Sequence, residues 1–302
     1  MNVRHTGPVP EGLRVRLWGV RGSMNASGPQ FMEFGGHTLC VEVWCGERLF
    51  VLDAGSGIAP FGAALGASAP QEIDVLLSHL HLDHIASLPF FKPAVADGPR
   101  VIRTHCGNLG GKSAAEALEK LFAPPLFPIT LDTLPGTFEH YGFHAGETLR
   151  FDGVAVRTHL LNHPGGCTGY RFDHGGRSFC YITDVEHGEV WPDPGLLDFV
   201  RGADLVLYDG MFSEADYPRC RGWGHSTWEK GVELCRAGGV RSLGIIHLYP
   251  GSDDPTLRAL EAEIKAAAPF AFVAREGESF AFPALDRSAV AGEHRLAKVP
   301  AV

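Results

Sequence analysis

His79-Leu80-His81-Leu82-Asp83-His84 is the stretch from which the rest of the chain can be read. It follows Ile73-Asp74-Val75-Leu76-Leu77-Ser78, an apolar run whose short length and branched-aliphatic content predict a buried strand. Three imidazoles and a carboxylate therefore arrive where a strand ends. Imidazole nitrogen and carboxylate oxygen suit a borderline divalent cation such as zinc. His79 and His81 stand two apart and can face one ion, while Asp83 and His84 can reach a second. A polar loop that is rich in histidine by chance is the plain alternative. Clustering at ligand spacing argues against it.

The 302 residues can bury a substantial core in one large domain. The formal net charge is −9, and the basic residues are scattered without a run as dense as a nucleic-acid arm. That balance disfavours a long polyanion as partner. Met1 to Leu13 lacks the apolar core of a secretory signal. The apolar run Ala266–Ala274 is too short to cross a membrane, and Pro269 interrupts it. The seven cysteines form no Cys-x-x-Cys pair, and Cys40, Cys180 and Cys235 sit in apolar contexts expected of buried free thiols. The expectation is a soluble cytoplasmic protein without a membrane partner.

Outward from the motif, apolar runs predict strands at 13–18, 39–44, 49–52, 101–104, 154–159, 169–172, 179–183, 205–208, 243–247, 270–273 and 279–282. Helical patterns occupy 58–66, 113–122, 227–237 and 256–267. Strands interleaved with helices in two halves, about 13–150 and 151–283, predict an α+β four-layer αββα sandwich. It forms a single domain at 13–283, between a polar lead at 1–12 and a loosely held tail at 284–302.

Four predicted strands end in, or just before, a polar group: His163 in Asn162-His163-Pro164-Gly165-Gly166, then Asp184, Asp209 and His247. Singly, each suits a cap or turn. Together they suit an open site at a sheet edge. The His-x-His-x-Asp-His pattern resembles the signature of the metallo-β-lactamase superfamily, which implies an αββα sandwich, a one- or two-metal site and hydrolysis. By that resemblance His79, His81 and His163 hold a first metal, Asp83, His84 and His247 hold a second, and Asp184 bridges them. Zn2+ is the default for this donor set, with Mn2+ or Fe2+ as alternatives. Two cations ~3.5–4 Å apart activate water at neutral pH and stabilise charge on a phosphoryl group.

Gly222-Trp223-Gly224-His225-Ser226-Thr227 narrows the chemistry. The Ser226-Thr227 pair fits a helix N-cap, with Glu229 in the first turn. With Asp209 upstream, the stretch is similar to the phosphodiesterase branch that contains ribonuclease Z. The similarity implies that His225 acts on the leaving oxygen or phosphate without binding metal, that Asp209 orients it, and that Asp83 both ligates and positions the attacking water. That branch carries a protruding basic arm that grips tRNA, whereas the corresponding stretches here are short and not basic. A small phosphodiester, with a cyclic nucleotide foremost, is therefore expected rather than a nucleic-acid polymer. Trp18-Gly19-Val20-Arg21-Gly22-Ser23 and Leu52-Asp53-Ala54-Gly55-Ser56-Gly57 are similar to stretches of bacterial small cyclic phosphodiesterases, a branch whose resemblance also implies a homodimer. The alternatives are a thioester, lactone or β-lactam hydrolase on the same scaffold, or a metal-bearing ligand sensor.

Ser23 and His37 are candidate pocket residues in Gly-rich turns, and Asp53 is a candidate acceptor for a ligand histidine N–H. Arg171 suits either a strand interior or a phosphate contact. Gly107-Asn108-Leu109-Gly110-Gly111-Lys112-Ser113 mimics a P-loop, but it has three residues before Gly-Lys-Ser where the nucleotide motif needs four.

Overall fold

The computed structural model describes residues 11–95, 100–107 and 113–285. The strands are β1 (Leu13–Gly19), β2 (Cys40–Cys45), β3 (Arg48–Leu52), β4 (Glu72–Leu77), β5 (Val101–Gly107), β6 (Thr137–Phe143) and β7 (Thr148–Phe151). They continue as β8 (Val154–Leu161), β9 (Cys167–His174), β10 (Arg177–Ile182), β11 (Leu205–Asp209), β12 (Leu243–Ile246), β13 (Ala271–Val273) and β14 (Ser279–Phe282). The helices are α1 (Ile58–Leu65), α2 (Leu82–Ile85), α3 (Lys92–Val95), α4 (Ala114–Leu121), α5 (Pro194–Val200), α6 (Tyr217–Cys220), α7 (Trp228–Ala237) and α8 (Asp254–Ala267).

Two seven-stranded mixed sheets are flanked by helices, ordered β14-β1-β2-β3-β4-β5-β6 and β13-β12-β11-β10-β9-β8-β7. Strand alternation explains the layers. Phe50, Leu52 and Leu76 point inward to a core shared with Phe172, Phe179 and Tyr181 of the second sheet. Their neighbours Leu49, Val51, Val75 and Leu77 point outward, onto Ile58 and Phe61 of α1 and Leu118 of α4. An edge contact between Phe50 and Phe172, with centroids 5.3 Å apart, joins the sheets.

Each sheet changes from antiparallel to parallel pairing in its middle: β3, β4, β5 and β6 are parallel in one, and β10, β11, β12 and β13 in the other. Parallel strands end on the same side, so their C-terminal ends gather at one edge of the sandwich. This topology places the site.

The two-halves expectation needs correction at both ends. β7 starts the second sheet before residue 151, and β14 returns to pair antiparallel with β1 in the first. β6, β7 and α5 escape the sequence reading. The two strands are half-buried edges without an apolar run, and α5 is one short Pro-led segment capped by Asp193. The predicted lead at 1–10, the tail beyond 285 and the P-loop mimic at 108–112 lie outside the described residues. Among the described residues no helix is long and apolar enough to cross a membrane. All seven cysteines are free, with Cys40, Cys180 and Cys235 buried. Arg171 belongs to the framework: its guanidinium donates to the Phe199 and Arg201 carbonyls at the end of α5 and to Asp173.

Glu42 of β2 is a buried polar hub. It accepts hydrogen bonds from Arg14 Nη2 at 2.8 Å, Trp18 Nε1 at 2.8 Å and Trp44 Nε1 at 2.6 Å. Removing one member of a buried charge pair is strongly destabilising because the other stays desolvated. Glu42→Ala is therefore expected to lower stability by about 3–5 kcal/mol, measured as a fall in the urea midpoint with an unchanged slope.

Candidate metal centre and active site

β4 ends at Leu77, and His79 and His81 follow before the single turn of α2 carries Asp83 and His84. β8, β10 and β12 run in one direction in the second sheet and deliver His163, Asp184 and His247 just past their ends, while Asp209 closes β11. Residues from both sheets thus converge. His79, His81, His163 and Asp184 form one group whose donor atoms lie within 4.8 Å of each other, and Asp83, His84 and His247 form another.

Asp184 stands between the two groups. Its Oδ1 lies 3.2 Å from both His84 Nε2 and His247 Nε2. Its Oδ2 lies 3.7 Å from both His79 Nε2 and His163 Nε2. Asp83 Oδ2 reaches His84 Nε2 at 3.2 Å and His247 Nε2 at 3.4 Å.

These donors fit divalent cations. His79 Nε2, His84 Nε2 and both ring nitrogens of His247 are buried without a hydrogen-bond partner. Buried polar atoms rarely go unsatisfied, so such a convergence signals coordination. The outward nitrogens are oriented instead. His84 Nδ1 meets Asp53 Oδ2 at 2.8 Å, His79 Nδ1 meets Ser78 Oγ at 3.0 Å, and His163 Nδ1 donates to the Gly224 carbonyl at 2.8 Å. Such bonds fix the tautomer and turn Nε2 toward the centre.

The electrostatics agree with a cation site. Burial disfavours charge on His84, but Asp184, Asp53 and Asp83 outweigh it and hold its pKa well above the usual histidine value. Burial likewise opposes ionisation of Asp184, while His247, His84 and His79 hold its carboxyl well below the usual range. His79, buried and with fewer carboxylates at hand, is pushed well below its ordinary value by desolvation and then by His84. His79 neutral beside an ionised Asp184 is the state in which both bind metal, whereas the carboxylates around His84 favour positive charge there.

His225 lies outside the two main groups but forms a third with Asp184 and His247, whose donor atoms also lie within 4.8 Å of one another. Its Nδ1 is 2.9 Å from Asp209 Oδ2 and 3.9 Å from Asp184 Oδ2, and its ring stacks on His247 at 4.7 Å. Asp209 is fully buried and also accepts the amides of Val185 and Met211. Burial pushes the His225 pKa down, but Asp209, then Asp184 and Asp83, raise it to about 9. Thr227 caps α7 as expected, accepting Lys230 N at 3.3 Å, whereas Ser226 turns inward to Tyr208 and His187.

Ser23 enters the site through its backbone: its amide donates to Asp83 Oδ2 at 2.7 Å, while its side chain is exposed. His37 is in none of the metal-capable groups. Its Nδ1 pairs with Glu276 at 3.0 Å, and that bond raises its pKa despite partial burial. Asp53 takes the supporting position anticipated for it, accepting from Ser78 N and Tyr181 Oη as well as meeting His84. Ser78 and Tyr181 escape sequence reading. Ser78 directly precedes the motif, which is the one available signal, whereas Tyr181 lies 128 residues from Asp53. Gly22 is needed for close approach, because a Cβ there would stand 2.2 Å from His247 Nδ1.

A family model described as Beta-lactamase superfamily domain matches residues 48–248. The chain belongs to this superfamily, the metallo-β-lactamase fold of metal-dependent hydrolases. Ribonuclease Z of Kineococcus radiotolerans is 26% identical over 265 residues, covering 74% of this chain and 81% of that protein. Among solved structures, the metallo-beta-lactamase fold protein YhfI from Bacillus subtilis matches with a TM-score of 0.68 at 18% identity, covering 90% of this chain and 99% of that one. A diphosphatase from the PhnP family matches with a TM-score of 0.63 at 16% identity, covering 91% and 100%. Both likenesses are of fold.

Purified protein is expected to hold two divalent ions per chain by elemental analysis, and Asp184→Ala to hold neither tightly. Asp53→Asn, which opposes an amide donor to the His84 N–H, should weaken metal affinity about 10–100-fold in chelator competition, with the far-UV spectrum retained.

Proposed function

We propose that the protein is a dinuclear metal-dependent phosphodiesterase that cleaves a small phosphodiester, with a cyclic nucleotide as the foremost substrate. The single observation that carries this reading is the buried His225–Asp209 pair, 2.9 Å apart, set beside Asp184. His79, His81, His163 and Asp184 would hold one cation, and Asp83, His84, His247 and Asp184 the other. When bound, the two ions supply a nucleophile at neutral pH and stabilise charge on the phosphoryl oxygens.

The chain's own residues do the rest. Asp83, fixed by the Ser23 amide at 2.7 Å, orients the incoming water. Asp209 accepts from His225 Nδ1 and leaves Nε2 to carry the proton that moves to the leaving oxygen as the P–O bond breaks. Burial opposes the charge, but Asp209, then Asp184 and Asp83, outweigh it and favour the protonated imidazole, which is the acid form. An alkoxide needs that proton to depart. A thiolate does not, so the pair is of little use to a thioesterase.

The ribonuclease Z relatives favour a second reading, a phosphodiester within RNA. The net charge of −9 and the scattered basic residues support the small substrate instead.

The test is turnover by the zinc- or manganese-loaded protein of bis(p-nitrophenyl) phosphate, a 2′,3′-cyclic nucleotide and an RNA with a 3′ extension. His225→Ala should lower kcat on the cyclic nucleotide about 100- to 10,000-fold at unchanged metal content. The loss should be smaller on the p-nitrophenyl diester, whose leaving group needs no acid. Hydrolysis confined to a thioester or lactone would sink the phosphodiesterase reading, and faster cleavage of the RNA would replace the small substrate.

A further inference from the structure

Apolar side chains that neighbour the site residues in sequence are exposed. Met24, Leu82, Trp223 and Tyr249 are all exposed, and each lies within two residues of Ser23, Asp83, His225 or His247. Trp223 is the largest of them and is 60% exposed.

The backbone on either side of Trp223 is tied down. Glu186, two residues past Asp184, accepts the Gly222 amide at 2.7 Å on one oxygen and the Gly224 amide at 2.9 Å on the other. Tyr217 Oη donates to the same carboxylate at 2.8 Å, and the Trp223 amide donates to the Cys220 carbonyl at 3.1 Å. The Gly224 carbonyl accepts His163 Nδ1 at 2.8 Å. Gly224 itself has a positive φ of 87°, and a Cβ there would stand 2.3 Å from His163 Nδ1. The loop is thus built onto the same strand ends that carry the metal-binding groups. The Trp223 ring lies 6.2 Å from Phe212, and Phe212 lies 6.1 Å from His225.

Leaving an indole in water forgoes the gain of burying it, and here a rigid backbone holds it out beside the reaction centre. An aromatic face in that position suits stacking on another flat ring, a contact that tolerates any base. We propose that Trp223 is the stacking platform for a planar aromatic group of the substrate, a nucleobase carried by the phosphodiester. Glu186 is the positioning residue that fixes the platform. This inference rests on the phosphodiesterase reading and names the substrate class within it.

The test compares the metal-loaded protein on a 2′,3′-cyclic nucleotide and on glycerol 1,2-cyclic phosphate, which has no base. Trp223→Ala should lower the ratio of kcat/KM for the base-bearing over the base-free diester about 5- to 100-fold. Trp223→Phe, which keeps a stacking face, should recover most of that ratio. An unmoved ratio in Trp223→Ala would overturn the proposal even if both diesters are cleaved. Should the protein cleave neither, the phosphodiesterase reading fails by itself, and the platform is read by fluorescence. Titrated adenosine monophosphate should quench the wild type more than Trp223→Phe, and equal quenching would discard the platform.

Discussion

The Asp184 carboxylate faces imidazoles from both sheets, and the arrangement of the site depends on it. One oxygen is directed at His84 and His247, the other at His79, His163 and His225. A carboxylate buried this deeply is costly unless positive charge compensates it. His84 answers by its raised proton affinity, and a bound divalent cation would answer the same demand more fully. The supporting bonds from Ser78, Asp53 and Gly224 then become intelligible as devices that present each imidazole edge-on.

Holding that arrangement strains the backbone. Asp53, Asp184 and His247, each at the end of a strand, adopt left-handed φ values of 59°, 46° and 57°. Non-glycine residues pay for that conformation, and it persists only where surrounding structure dictates it. Here the two packed sheets do so, because parallel strands leave no other place for their C-terminal residues than the shared edge. The sharp turn out of each strand directs the polar side chain into the site instead of along the next element. Ser23, with a φ of 61°, does the same with its amide, which it aims at Asp83.

The apolar β10, β11 and β12, and the imidazole cluster after β4, were legible because a buried parallel strand reads as a short branched-aliphatic run that a polar residue interrupts. β6 and β7 were not legible, since half-buried edge strands carry no such run. The pairing of β14 with β1 was equally hidden: its register joins residues such as Val15 and Phe280 that no local period relates. His37 shows the same limit from another side. Nothing in its Gly-rich turn announced that its ring would pair with Glu276, 239 residues away.

By itself the sequence pointed to the candidate donor set. His79, His81, Asp83 and His84 have ligand spacing before any fold exists, because side-chain chemistry and strand-end position are local properties. It also determined which strands would be buried. Only the tertiary structure decided how those donors gather around Asp184, which histidine pairs with Asp209, and how Glu186 braces the Trp223 loop. Those contacts cross between sheets and between distant loops, and they exist only once the packing of two apolar faces has fixed the strand ends relative to one another.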